Sequence, residues 1–179
     1  MPWKTLQTKT EFESPYVTVQ KNAVELLDGL QIDNFYTVTV PDAAMIIALT
    51  VNNEVLLKTE FRYSCGEDMI ECPAGTFEVD ETDPLVVAKR EFLEETGYTS
   101  EDWTYLGETR DSTAKLTNKM HIFLAKNCVR VGEQHLDKTE HLDLMVVPFE
   151  RAVDMVMNNE IRCNSSAHAI LRAARIIGV

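Results

Sequence analysis

The segment that most constrains this chain runs from Asp83 to Gly97, DPLVVAKREFLEETG. Asp83 carries a short carboxylate suited to the free amides at a helix start. Pro84 fits the first helical position, where its missing N–H costs nothing. Gly97 suits the residue just past a helix end, where a left-handed backbone is wanted. The spacing therefore predicts one helix over Pro84 to Thr96, marked at both ends. At about 100° per residue, Leu85, Ala88, Phe92, Leu93 and Thr96 gather on one side, and Glu91, Glu94 and Glu95 on another. Like charges three and four residues apart weaken a bare helix by about 0.2–0.5 kcal/mol per pair. Such an arc either faces solvent, as most acidic faces do, or grips a cation. Hard divalent ions take oxygen ligands, and Mg²⁺ commonly combines carboxylates with substrate phosphates.

The flanking sequence reads as strands. Tyr16–Gln20 and Ala23–Leu27 are short strands before a turn at Asp28-Gly29, and Phe35–Val40 alternates apolar and polar. Ala43–Val51 is nearly all apolar, as in a strand buried on both faces. Asn52-Asn53 turns it back into Glu54–Phe61. Ile70–Phe77 is a strand bent by Pro73 and Gly75. Trp103–Thr109, Lys119–Lys126 and Leu142–Val147 are further strands, and Asn127–His141 reads as polar loop. In Lys119–Lys126, Met120, Ile122 and Leu124 oppose His121, Phe123 and Ala125. Phe149–Met157 is a short helix, and Ser165 or Ser166 caps a last helix with the stripe Ile170, Ala173, Ala174, Ile177. The class is α+β: a mixed sheet flanked by helices, with an N-terminal strand extension. One domain over 1–179 is expected, with 1–42 as the N-terminal strands and 43–179 as the core.

The formal net charge of -12, from 29 acidic and 17 basic residues, disfavours nonspecific binding to nucleic acid or an anionic membrane surface. An anionic substrate stays open, because a bound cation inverts the local field. Cys65, Cys72, Cys128 and Cys163 form no C-x-x-C pair and read as reduced thiols of a cytoplasmic protein. His121, His135, His141 and His168 are too scattered for a zinc site. The N-terminus shows no apolar signal segment, and no apolar run would span a bilayer.

The run from Gly75 to Tyr98 resembles the Nudix box: Gly, five residues, Glu, seven residues, then Arg-Glu-apolar-x-Glu-Glu-x-Gly-apolar. Arg90 to Tyr98 follows the second half throughout. The first half departs, because eight residues rather than seven separate Glu81 from Arg90, so either Glu81 is displaced or Thr82 takes its place. Phe61-Arg62-Tyr63, Glu71-Cys72-Pro73-Ala74-Gly75 and Val146-Val147-Pro148-Phe149 are similar to the ADP-ribose pyrophosphatase branch of that family. The resemblance implies the Nudix fold, a sheet sandwich with the box helix between layers. It also implies Mg²⁺ or Mn²⁺ held by Glu91, Glu95 and the Ala74 carbonyl, with Glu94 as a further oxygen donor. Arg90 would orient those carboxylates and Arg62 would contact substrate phosphate. Glu140 would take the water's proton, with Glu133 in reserve. The implied reaction is hydrolysis of a nucleoside diphosphate sugar, ADP-ribose foremost, to AMP and ribose 5-phosphate, by a homodimer built through the N-terminal strands. GDP-mannose or an oxidised nucleotide are alternative substrates. A nucleotide-sugar sensor without catalysis is the rival of another class, against which the intact Glu91, Glu94 and Glu95 weigh. Asp111–Thr117 stands where the branch has a Ser-Pro-Gly-like turn, which leaves nucleoside and sugar open.

Overall fold

A computed structural model describes residues 2–179. The chain forms two compact units, residues up to Asp42 together with Arg110–Lys119, and Ala43–Thr109 together with Met120–Val179. The first unit is an antiparallel sheet of β1 (Lys4–Glu13), β2 (Thr18–Glu25) and β3 (Gln31–Thr39), in that order. β2 runs unbroken where the sequence suggested two short strands. Its central Asn22 is buried yet satisfied, accepting from Thr8 Oγ1 at 2.8 Å and donating to Thr37 Oγ1 at 3.1 Å. A polar residue with partners on both neighbouring strands can stay within one strand, although the register with β3 shifts between Asn22 and Val24. Segment 110–119 joins this unit through Val38, whose amide donates to the Lys115 carbonyl and whose carbonyl accepts from the Thr117 amide.

The second unit is built on β4 (Ala43–Thr50), β5 (Glu54–Arg62), β6 (Glu67–Glu71), β7 (Ala74–Thr76), β8 (Tyr98–Thr99), β9 (Asp102–Thr109), β10 (Met120–Arg130) and β11 (Leu142–Pro148). Strands lie in the order β11-β5-β4-β10-β8, with β6 on β5, β7 on β4 and β9 on β10. β4 and β10 are parallel and the other pairs antiparallel. Because side chains alternate across a strand, these two central strands feed two cores. Met45, Ile47, Leu49, Ile122 and Leu124 pack with α2 (Phe149–Met157) and α3 (Asn164–Ile177) through Phe149, Ala152, Ile170 and Ala173. Ala44, Ile46, Ala48, Phe123 and Ala125 pack on the other face with Val87, Ala88 and Phe92 of α1 (Pro84–Thr96). The result is the expected α+β class, a mixed sheet flanked by helices, but α1 lies on one face of that sheet opposite α2 and α3 rather than between two sheet layers.

Three local readings change. β10 continues to Arg130, past a bulge where Asn127 adopts φ 54, and its end pairs with β8, so the polar loop begins later than Asn127. α3 starts after Cys163 without a side-chain cap; Ser166 Oγ is taken instead by the Cys72 amide at 3.0 Å. On α1, Leu93 is 41% exposed while Val87 is fully buried. No helix among the described residues is long and apolar enough to cross a membrane.

Candidate functional site

α1 begins and ends as its sequence dictates. Asp83 accepts from the Leu85 amide at 2.9 Å, and Gly97, at φ 71, donates its amide to the Leu93 carbonyl at 2.8 Å. The last two turns of α1 lie beside β7 and carry Arg90, Glu91, Glu94 and Glu95. Gly75 of β7 is a floor for Glu91: a Cβ there would fall 1.8 Å from the Glu91 Cδ.

Arg90 gathers the acids. Its Nε and Nη2 donate to the two Glu81 carboxylate oxygens at 2.9 and 2.8 Å. Its Nη1 donates to Glu91 Oε1 at 2.9 Å and to Glu94 Oε2 at 3.0 Å, and Nη2 reaches the Thr76 carbonyl at 3.2 Å. Such two-pronged pairing needs the planar guanidinium. Glu81, not Thr82, therefore braces the loop despite the extra residue before Arg90. The Arg90 hydrogen bonds hold the Glu81 carboxyl below its usual range.

Glu95 is 2% exposed and points inward. One of its oxygens accepts from the Ala74 amide at 3.0 Å, and the other from the buried Lys58 ammonium. Burial pushes the Glu95 carboxyl up to about 7, against the pull of Lys58 and the Ala74 amide. Burial also opposes the charge on Lys58, but Glu95 and then Glu60 outweigh it and hold the ammonium above its ordinary value. Burial raises Glu91 too, opposed by Arg90 and reinforced by the nearby Glu94 and Glu140.

Lys58, Glu60 and Arg62 follow one another on one side of β5, the side to which Leu56 also points. Lys58 Nζ lies 3.1 Å from Glu60, Arg62 Nη1 donates to Glu60 at 3.0 Å, and Arg62 Nε donates to Glu71 at 2.9 Å, with Nη2 on the same Glu71 oxygen. Arg62 is thus braced by two carboxylates and keeps 37% of its side chain exposed. The loop after β10 is seated on the end of α1. The Val131 and Gly132 amides donate to the Gly97 carbonyl, the His135 amide to Glu94 O at 2.8 Å, and Gln134 Nε2 to Glu95 O at 2.8 Å. That loop carries Glu140, whose carboxylate accepts from the Asp137 amide at 3.0 Å and whose charge reaches Glu91. Glu133, the reserve, pairs with Arg130 at 2.7 Å and is 85% exposed.

Of the expected site residues, Arg90 joins Glu91 and Glu94, while Glu95 bonds to the amide of Ala74. Sequence reasoning missed Lys58. The available signal was a lysine placed directly after Val55-Leu56-Leu57 and two residues before Glu60. Carboxylates are the donors a hard divalent ion selects, so the residues fit such an ion in kind. Yet no three His, Cys, Asp or Glu side chains among the described residues converge as a ready cage. Arg90 and Lys58 hold the carboxylates instead.

The family profile described as NUDIX domain matches residues 39–163. The chain is 30% identical over 168 residues to a methanol dehydrogenase activator of Bacillus methanolicus, covering 93% of this chain and 90% of that one. It is 29% identical over 168 residues to an ADP-ribose pyrophosphatase of Bacillus subtilis (strain 168), with the same shares covered. A crystallised ADP compounds hydrolase matches the structure with a TM-score of 0.85, over 99% of this chain and 95% of its own, at 19% identity. At that identity the last likeness speaks for the fold.

Proposed function

We propose that this chain, which belongs to the Nudix family, hydrolyses the pyrophosphate bridge of a nucleoside diphosphate sugar, with ADP-ribose giving AMP and ribose 5-phosphate as the leading case. The observation that carries this reading is the Arg90 guanidinium gathering Glu81, Glu91 and Glu94 on one flank of α1, with Glu91 resting on Gly75. The relationship to an ADP-ribose pyrophosphatase along nearly the whole chain supports the substrate class.

Glu91 and Glu95 would hold Mg²⁺ or Mn²⁺, with Glu94 and the Ala74 carbonyl as further oxygen donors. When bound, such an ion offsets pyrophosphate charge and makes a coordinated water more acidic. Arg90 orients Glu91 and Glu94 through its Nη1. Arg62, braced by Glu60 and Glu71, turns its exposed part to a substrate phosphate. Glu140 takes the proton of the attacking water, the task that phosphoryl hydrolysis requires of a nearby base. β1 is exposed along its whole length, and Trp3, Phe12 and Tyr16 of the same unit are exposed aromatics. This supports a homodimer formed through the N-terminal strands, which sedimentation equilibrium would test.

The deciding assay incubates the protein with Mg²⁺ and ADP-ribose, GDP-mannose or an oxidised nucleoside triphosphate, and follows nucleoside monophosphate. AMP from ADP-ribose, abolished in the Glu91→Gln, Glu95→Gln double variant, is expected. Release from another member instead reassigns the substrate. Binding without any product favours a sensor and overturns hydrolysis.

A further inference from the structure

Lys58 is a lysine where packing alone would be served by an apolar side chain. It is 2% exposed, in a strand whose Val55, Leu56 and Leu57 are fully buried. Replacing a buried ion pair by apolar groups is often neutral or stabilising, so burying an ammonium here is not explained by stability. Its position is specific. It bonds to Glu95, the most buried acid of α1, whose other oxygen already accepts from the Ala74 amide. Both oxygens of that carboxylate are therefore engaged by the protein itself. Lys58 also has a second carboxylate, Glu60, at 3.1 Å. It can release Glu95 without becoming a stranded buried charge.

We propose that Lys58 is a built-in counter-ion of this site: its ammonium occupies Glu95 while no divalent ion is bound, and it cedes that carboxylate toward Glu60 when one binds. Lys58 is then a positioning residue that sets how tightly the ion is held. The inference rests on the reading above that Glu91 and Glu95 take a divalent ion. Two costs oppose the incoming ion, the broken Lys58–Glu95 pair and the repulsion from an ammonium a few ångströms away. Removing the ammonium should therefore tighten binding on the order of tenfold or more, because a like charge no longer opposes the ion at short range.

The test uses the full chain and Mn²⁺ alone. Affinity is read from the electron paramagnetic resonance of free Mn²⁺, and the Mn²⁺-induced rise in Tm is read in parallel. Lys58→Met should bind Mn²⁺ at least about tenfold more tightly than the parent and show a larger rise in Tm. Glu60→Gln, which removes the fallback partner, should bind more weakly. A Lys58→Met protein that folds only with Mn²⁺ also supports the proposal, because the ion then replaces the ammonium. Parent binding with unchanged or weaker binding in Lys58→Met overturns the role of Lys58 and leaves the metal site standing. If Lys58→Met does not fold under any condition, unchanged affinity in Glu60→Gln overturns it. No binding by the parent or any variant removes the metal reading and this inference together.

Discussion

Gly75 and Glu91 are so close that any side chain at position 75 would displace the carboxylate. The clash in a Gly75→Ala variant falls on the movable end of a side chain, not on backbone. Its Tm should therefore shift little, by less than about 1 kcal/mol of stability. Hydrolysis should fall by about 100-fold, because small misplacements of a ligating group cost that much. A variant that loses stability but keeps its rate would contradict this. Glu95 gives a second prediction. Its carboxyl is raised in the fold from 4.5 to about 7, so the folded state holds the proton more tightly than the unfolded chain. That contribution is complete below pH 4.5 and is lost as pH rises through about 7. Glu91, also raised by burial, adds the same sign. Denaturant unfolding in the presence of a chelator should show lower stability at pH 8 than at pH 5, and saturating Mn²⁺ should reduce the difference.

At the level of elements, the buried face of α1 was readable only in part, since Val87 rather than Leu93 turns inward. Its bounds were readable because their causes lie within a few residues of its ends: an Asp-Pro start, a Gly stop and the chemistry of amide capping. The alternation that predicted two faces for β10 was readable for the same reason, and its two faces do enter different cores. The partners of the acids were not readable. Lys58 and Glu95 are 37 residues apart, and they meet only because α1 packs on the face of the sheet to which Lys58 of β5 points. Nor could spacing decide between Glu81 and Thr82, since the outcome depends on how the loop folds back to Arg90. Gly97 joins both kinds of information. It stops the helix with φ 71, and a Cβ on it would also lie 2.3 Å from the Gly132 carbonyl oxygen. Gly97→Ala should therefore cost more than the about 1 kcal/mol of a simple cap loss such as Asp83→Ala. Parallel chemical denaturation of the two variants would measure the difference.

Across the whole molecule, two buried thiols report on the two sides of the central sheet. Cys72 belongs to the core shared with α2 and α3, and Cys128 to the core shared with α1. Burial raises both thiols, Cys128 to about 12, and only thiolates react quickly. Cys65, which is exposed, should label at once with a thiol reagent in native buffer. Cys72 and Cys128 should label only with denaturant, and at one common midpoint if sheet and helices unfold as a unit. Separate midpoints would mean that one side opens first. Long-range organisation of this sort was the least legible in the sequence. Nothing local to 110–119 announces that it packs with the N-terminal strands; Val38 and Leu116 find each other only in the folded chain.

The loop after β10 reaches four hydrogen bonds onto the carbonyls of Glu94, Glu95 and Gly97. Lifting this loop off α1 strips the partners from the carbonyls of the turn that bears Glu94 and Glu95. In deuterium exchange, amides of that loop and of the closing turn should become accessible in step, and nucleotide should slow both together.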